Sequence, residues 1–256
     1  MIAKPDGPRA EAPAWTRRPA GLSRAVAAEL VEWIVSGRYA PGAALPPEPA
    51  LCETFSVSRT VIRESVKMLQ EKGLVRVRQG SGTLITDPDS WDLLDEQVLA
   101  ASITSGHDSG LLDDLVVTRR LLEADMVYVA ASTISADDLE RTRVLVEEMD
   151  GLVGDWPAYM PRDREFHDVI MLASGNRLAR SVVRSLESQA AQAARYVGNP
   201  RVADVVASNA GHREIHERLV AGDARGAAEA MNRHITEAWL RRRTSKAGTE
   251  RLDRDS

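Results

Sequence analysis

The chain has 256 residues, 43% hydrophobic and 28% charged, the balance of a soluble globular protein long enough for two domains. No apolar run reaches the length needed to cross a bilayer, no charged-then-apolar leader opens the chain, and Cys52 is the only cysteine; a cytoplasmic protein with no membrane role and no intrachain disulfide is expected. The net charge of −5 argues against nucleic acid only until its distribution is read: residues 15–88 hold ten Lys or Arg against seven acids, a net of +3, which leaves −8 for residues 89–256.

Residues 1–20, rich in Pro, Ala and Arg, read as a flexible tail. "LSRAVAAELVEWIVSGRY" then opens a helix after Gly21, with Leu22, Val26, Leu30, Trp33 and Ile34 as its apolar stripe. "YAPGAALPPE" is a Pro/Gly loop that cannot continue it. "EPALCETF" predicts a short second helix, with Pro49 tolerated in the first turn. "SVSRTVIRESVKMLQEKG" predicts a turn, an N-cap at Ser58 and a third helix stopped by Gly73. "LVRVRQGSGTLIT" reads as two short strands joined by a Gly-containing turn. Three helices and a two-stranded wing, residues 21–87, make a winged helix-turn-helix.

The third helix separates its faces. Ile62, Val66 and Leu69 form a core stripe, whereas Arg59, Arg63 and Lys67 recur at i, i+4, i+8 on another side, with Ser58 and Thr60 at the N-terminal turn. Arginine and hydroxyls at a helix N-terminus suit the major groove of double-stranded DNA, where a guanidinium grips guanine or phosphate and the helix end favours phosphate. A basic face alone would be a solvated surface; the wing and the preceding helix turn the expectation to DNA.

The segment "LPPEPALCETFSVSRTVIRESVKMLQEKGLVRVRQGSGTLI" resembles the DNA-binding domain of GntR-family transcription regulators, over about 65 residues with its flanks. The family pattern runs LPsE-x-x-L, vSRt-x-x-RE-x-x-x-x-L, then GL and a G-x-GT wing. The resemblance implies DNA contacts from Arg59, Thr60 and Arg63, and a wing tip at Gly80 that enters the minor groove. Where the family has Arg after the Glu of LPsE, this chain has Pro49, which implies weaker backbone affinity or a different operator.

After a linker at 88–95, residues 96–243 predict five to seven helices and no strand, an all-helical bundle; residues 244–256 read as a charged, disordered tail. The whole is mainly α. Ser135 and Asp138 resemble a capping box, and helices are expected to stop at Gly175 and Gly198. Four of the five histidines lie in this half, at 167, 212, 216 and 234; His107 falls in a loop-like stretch. Taken singly, each reads as an ordinary surface or hydrogen-bonded residue. Together they suggest more. Asp163 and His167 leave one helix face at i, i+4, and His212 and His234 sit within the apolar periodicity of two further helices. Those four make an N3O set that suits Zn²⁺, Ni²⁺ or Mn²⁺. His216, one turn after His212, is ambiguous: a supporting partner, a substitute ligand or a surface residue.

"RRLLE", "DREFHDVIMLASGN" and "HREIHERLVAGDARGAAEAMNRH", in that order, are similar to the FCD ligand-sensing domain of FadR-type GntR regulators. The resemblance implies a divalent transition metal, Zn²⁺ or Ni²⁺ first, on Asp163, His167, His212 and His234. It implies an effector carboxylate at Arg119, for which the competing reading is an i, i+4 ion pair with Glu123. Asn176 is a further effector candidate, with helix capping as its plainer role. "SWDLLDEQVLA" is similar to the linker of sugar-acid regulators such as galactonate repressors, which favours a sugar acid or hydroxy acid.

The expected function is a ligand-responsive repressor of a catabolic operon with no catalytic residues; the family resemblance implies a homodimer on an inverted-repeat operator. One alternative is the same kind of regulator with a purely structural metal and an apolar or protein effector. Another is a metal-dependent hydrolase, for which no general base is evident beside the donors.

Overall fold

The computed structural model describes residues 19–105, 110–197 and 200–252. Residues 1–18 of the tail expected at 1–20, together with His107, Gly198 and residues 253–256, lie outside these; Pro19 and Ala20 are instead the first residues of a helix. The chain divides into two compact units, one up to Asp92 and one from Leu93.

The first unit holds α1 (Pro19–Val35), α2 (Glu48–Phe55), α3 (Arg59–Glu71), β1 (Val75–Arg78) and β2 (Gly82–Ile85). Its core is Val26, Ala27, Leu30, Val31 and Ile34 of α1 against Val61, Ile62, Val66 and Leu69 of α3, all buried. The α1 stripe is rotated from the sequence expectation: Leu22 is 52% exposed, while Ser23 and Val31 are inside. The reason is a close α1–α3 contact between small residues. Ser65 Oγ donates to the Ser23 carbonyl at 2.9 Å, which turns that side of α1 inward. Trp33 instead stacks on Phe55 at 5.1 Å under the Arg38 guanidinium.

Ser56, in the left-handed region, closes α2, and Ser58 caps α3 by accepting from the Val61 N–H. β1 and β2 pair antiparallel from Val75↔Ile85 to Arg78↔Gly82, turning at Gly80, whose φ of +80° few other residues adopt. The stretch expected as a plain loop adds a short edge. Gly42 donates to Ile85 and Leu45 to Thr83, and Ala44 bridges Leu84. Pro41, Pro46 and Pro47 flank this edge and hide it from sequence reading. Past a 3-10 turn at Pro88–Ser90, the Asp92 N–H bonds the Lys72 carbonyl, so the expected linker begins fastened to the end of α3.

The second unit is helical throughout the described residues: α4 (Glu96–Ser105), α5 (Leu111–Thr133), α6 (Ala136–Asp150), α7 (Trp156–Ala173), α8 (Arg177–Val197), α9 (Val202–Val220) and α10 (Ala224–Leu252). α4 takes in part of the sugar-acid-like linker stretch, and α10 runs on past residue 243. Ser135 Oγ accepts from the Asp138 N–H and donates to its carboxylate, starting α6; Gly175, at φ +73°, closes α7. α10 packs along α5 and α9, and α9 also packs on α6. The core joins Val127, Leu145, Met149, Tyr159, Phe166, Ile170, Ile215 and Met231. Burying a set of this size, at about 1.5–3 kcal/mol per large side chain, holds α5, α6, α7, α9 and α10 together, while α4 and α8 join through smaller clusters around Leu99, Leu186 and Val183.

Candidate DNA-binding face and metal centre

On α3, Arg59, Thr60, Arg63 and Lys67 are exposed, as are Ser58 at its start and Gly80 at the wing turn. The arginine and lysine positions recur along an exposed face separate from Ile62 and Leu69, which are fully buried. One partner escaped the sequence reading. Glu48, at the start of α2, takes both oxygens to Arg63 Nε at 3.0 and 3.1 Å, aiming that guanidinium. Glu48 is the acid of the "LPPE" stretch, so the signal was present but its contact was not readable. Arg76 and Arg78 extend the exposed positive surface along β1.

In the helical unit, α7, α9 and α10 bring His167, His212 and His234 together. Their exposures are 2%, 0% and 7%, and one nitrogen of each lies within 4.8 Å of the others. The Nε2 atoms of His167 and His212 are 3.4 Å apart, and the His212 and His234 ring centroids 4.2 Å. Asp163, one turn before His167, places Oδ1 3.4 Å from His212 Nε2. Burial pushes the His212 and His234 imidazoles well below the usual histidine range, and the neighbouring histidines push the same way. Both are therefore neutral, the form that ligates a metal. Three neutral or hydrogen-bond-oriented imidazoles with a carboxylate at the edge fit a divalent transition metal in donor type and number.

The surrounding side chains set ring orientation. His212 Nδ1 donates to Asn209 Oδ1 at 3.3 Å, and Asn209 Nδ2 donates to Asp150 at 2.7 Å and the Val146 carbonyl at 3.1 Å. That fixes the tautomer with the Nε2 lone pair toward the other histidines. His167 Nδ1 lies 2.6 Å from Glu123 Oε2. Burial lowers the His167 pKa, but Glu123 and, after it, Asp163 together reverse this and the net is a rise. For Glu123, burial raises the carboxyl, and Arg119 and His167 overcome it to hold it at about 2. Gly211 matters for space: a Cβ there would sit 2.6 Å from His234 Nδ1. Phe166 closes one side, its ring centroid 4.8 Å from that of His212.

Arg119 is bound at both ends. It makes 2.8 Å contacts to Glu123 and to Glu187, so the ion pair weighed in the sequence reading is present and has a second carboxylate. Burial disfavours the Arg119 charge, but the two acids outweigh it and raise its pKa. His216 lies apart from the cluster: its Nδ1 is 2.9 Å from Thr142 Oγ1 on α6. Asn176 caps α8, accepting from the Ala179 N–H at 3.1 Å. Glu187, Asn209 and Gly211 went unnoticed in the sequence. Asn209, three residues before His212, and Gly211, a glycine inside a helix, were the available signals.

Residues 22–85 match the family described as bacterial regulatory proteins, gntR family, and residues 114–237 match the FCD domain. The HTH-type transcriptional regulator YieP of Escherichia coli K12 is 33% identical over 60% of this chain and 68% of its own length. The chain belongs to the GntR family. The galactonate operon transcriptional repressor of Escherichia coli K12 is 28% identical over 60% of this GntR chain and 68% of the relative. The solved structure of Lar, which controls the agr system of Listeria monocytogenes, shares its fold with a TM-score of 0.55 at 19% identity, covering 87% of this chain and 97% of Lar. This GntR protein is a DNA-binding transcriptional regulator with an FCD domain, and its relatives are named as regulators rather than enzymes. Among its described residues no helix is long and apolar enough to cross a membrane.

Proposed function

We propose that the protein is a ligand-responsive repressor of a catabolic operon. Its helical domain holds Zn²⁺ or Ni²⁺ on Asp163, His167, His212 and His234 and binds a small carboxylate, a sugar acid or hydroxy acid. The observation that carries this reading is the convergence of three buried imidazoles from α7, α9 and α10. Such a metal would supply a Lewis-acidic centre for an anionic oxygen. Burial keeps the His212 and His234 imidazoles neutral, Asn209 and Glu123 orient His212 and His167, and Phe166 closes one side of the cluster. The name of the galactonate repressor and the "SWDLLDEQVLA" stretch support a sugar acid over other carboxylates.

Two protomers would set their α3 helices in successive major grooves, with Arg59, Thr60, Arg63 and Lys67 facing the duplex, Ser58 capping the helix and Gly80 at the wing tip. The operator is then a short inverted repeat. The acid would alter operator affinity only to the extent that it binds the two domain arrangements unequally.

The test has two parts. Elemental analysis after zinc- and nickel-supplemented expression is expected to give a stoichiometric metal; none would end the metal assignment. DNA selected from a random duplex pool is expected to carry an inverted repeat, released by one acid of a sugar-acid and hydroxy-acid panel. The engagement of Arg119 by Glu123 and Glu187 favours a second reading, in which the metal is structural and the effector apolar or a protein. DNA release by no acid would select it.

A further inference from the structure

Arg242 is not used by anything above. It lies on α10 beyond the residues matched by the FCD domain. Its guanidinium carbon is 5.0 Å from the centroid of the Trp156 ring, at the first turn of α7. Trp156 stacks on Tyr159, with ring centroids 5.7 Å apart, and the Tyr159 hydroxyl is 3.4 Å from His212 Nδ1. Trp156, Tyr159 and Asp163 recur at i, i+3 and i+7 and so share one side of α7. The indole that seats Arg242 therefore lies on the side of α7 that carries the carboxylate at the histidine cluster.

Among the described residues the charge on Arg242 has no anionic partner: it makes no ion pair and no hydrogen bond, and only the aromatic face supports it. Burial lowers its pKa; Asp163 and Tyr159 favour its charge from a distance, and Arg119 opposes it. A guanidinium does not shed its proton in a protein, so the cost of desolvating it persists until an anion arrives. Arg119 is the opposite case. Two carboxylates at 2.8 Å already neutralise it, and a third would have to displace one.

We infer that Arg242, seated on Trp156, is the residue that takes the carboxylate of the small effector, and that Arg119 is a positioning residue that fixes Glu123 against His167. This rests on the carboxylate-effector reading proposed above. The flat indole holds the guanidinium fork in one plane, which matches the two oxygens of a carboxylate. With Arg242 on α10 and Trp156 on α7, a bound acid changes the force between two of the helices that carry the histidines.

The test uses full-length, zinc-loaded protein, thermal melts and titration with D-galactonate, D-gluconate, D-glycerate and citrate. At least one acid is expected to raise the wild-type melting temperature. For that acid, Arg242→Met is expected to weaken binding at least tenfold, with Arg242→Lys in between. Ligand-free Arg242→Met is expected to melt at or above the wild-type temperature, since methionine keeps an apolar stem on Trp156 and removes an unpaired charge. Arg119→Met, which takes the cation from Glu187 and leaves Glu123 only His167, is expected to melt lower. An Arg242→Met protein that responds like wild type refutes the role of Arg242 alone. Ligand-free Arg242→Met melting several degrees lower also refutes it, because the cation would then be structural. A wild type that no acid stabilises refutes the effector reading itself and takes the role of Arg242 with it.

Discussion

Gly211→Ala separates the histidine cluster from the fold around it. The new Cβ would lie 2.6 Å from His234 Nδ1 and 3.3 Å from its Cβ and Cγ, well inside van der Waals contact. In metal-free protein the imidazole can rotate away, and alanine in a helix interior gains roughly 0.5–1 kcal/mol over glycine. With metal bound the ring has no such freedom. Disturbing the support of one ligand costs about 10–100-fold in metal affinity, which is roughly 1.4–2.8 kcal/mol. The substitution is thus expected to leave the melting temperature of chelator-treated protein equal or higher while weakening zinc binding, read by competition with a chromophoric chelator. An unchanged zinc Kd would refute the reasoning, and so would a large loss of metal-free stability.

Three further expectations follow from the same geometry. Glu123→Gln removes the carboxylate between Arg119 and His167 and is expected to cost about 3–5 kcal/mol in urea unfolding, as for a broken buried ion pair, with a parallel loss of zinc affinity; a loss under 1 kcal/mol would contradict the buried role of Glu123. In metal-free protein His212 and His234 have folded pKa values below the unfolded 6.5, so the unfolded chain binds more protons and stability falls as pH drops below 6.5. His167, raised, contributes in the opposite sense, its share complete below 6.5 and lost as pH rises through its folded value. The net slope below 6.5 approaches about 1.4 kcal/mol per pH unit for each depressed histidine, and flat urea midpoints between pH 6.5 and 5 would contradict it. Arg63→Ala breaks an exposed pair with Glu48, so stability is expected to change by less than about 1 kcal/mol. Operator affinity should fall steeply, with a salt slope shallower by about one phosphate contact in fluorescence anisotropy; unchanged DNA binding would remove Arg63 from the interface.

What could be read from the sequence was periodic or local. Ile62, Val66 and Leu69 announced α3 by spacing, Ser58 and Ser135 their caps by position, and Asp163–His167 a shared helix face. What was missed depends on packing between distant segments. Val61 and Ser65 are buried because α1 approaches closely, a fact carried by Ser23 far along the chain. The edge at residues 42–45 is hydrogen-bonded to β2 despite a composition that reads as loop. His212 and His216, one turn apart, look equivalent in sequence. α9 separates them because it is packed on both α10 and α6, turning His212 to the cluster and His216 to Thr142. Glu123 could be placed next to Arg119 by spacing, but its approach to His167 required α5 against α7.

The histidines that converge at the centre of the bundle are far apart along the chain: 45 positions separate His167 from His212. An ion held by both would close that span as a covalent cross-link would, and the entropy of such a loop in an unfolded chain is worth about 4 kcal/mol. The centre therefore comes into being only after α7, α9 and α10 have found one another, and cannot template them from an extended chain. Its occupancy would report tertiary order rather than helix content. Chelation should then loosen side-chain packing and speed amide exchange in these three helices while leaving far-ultraviolet circular dichroism nearly unchanged.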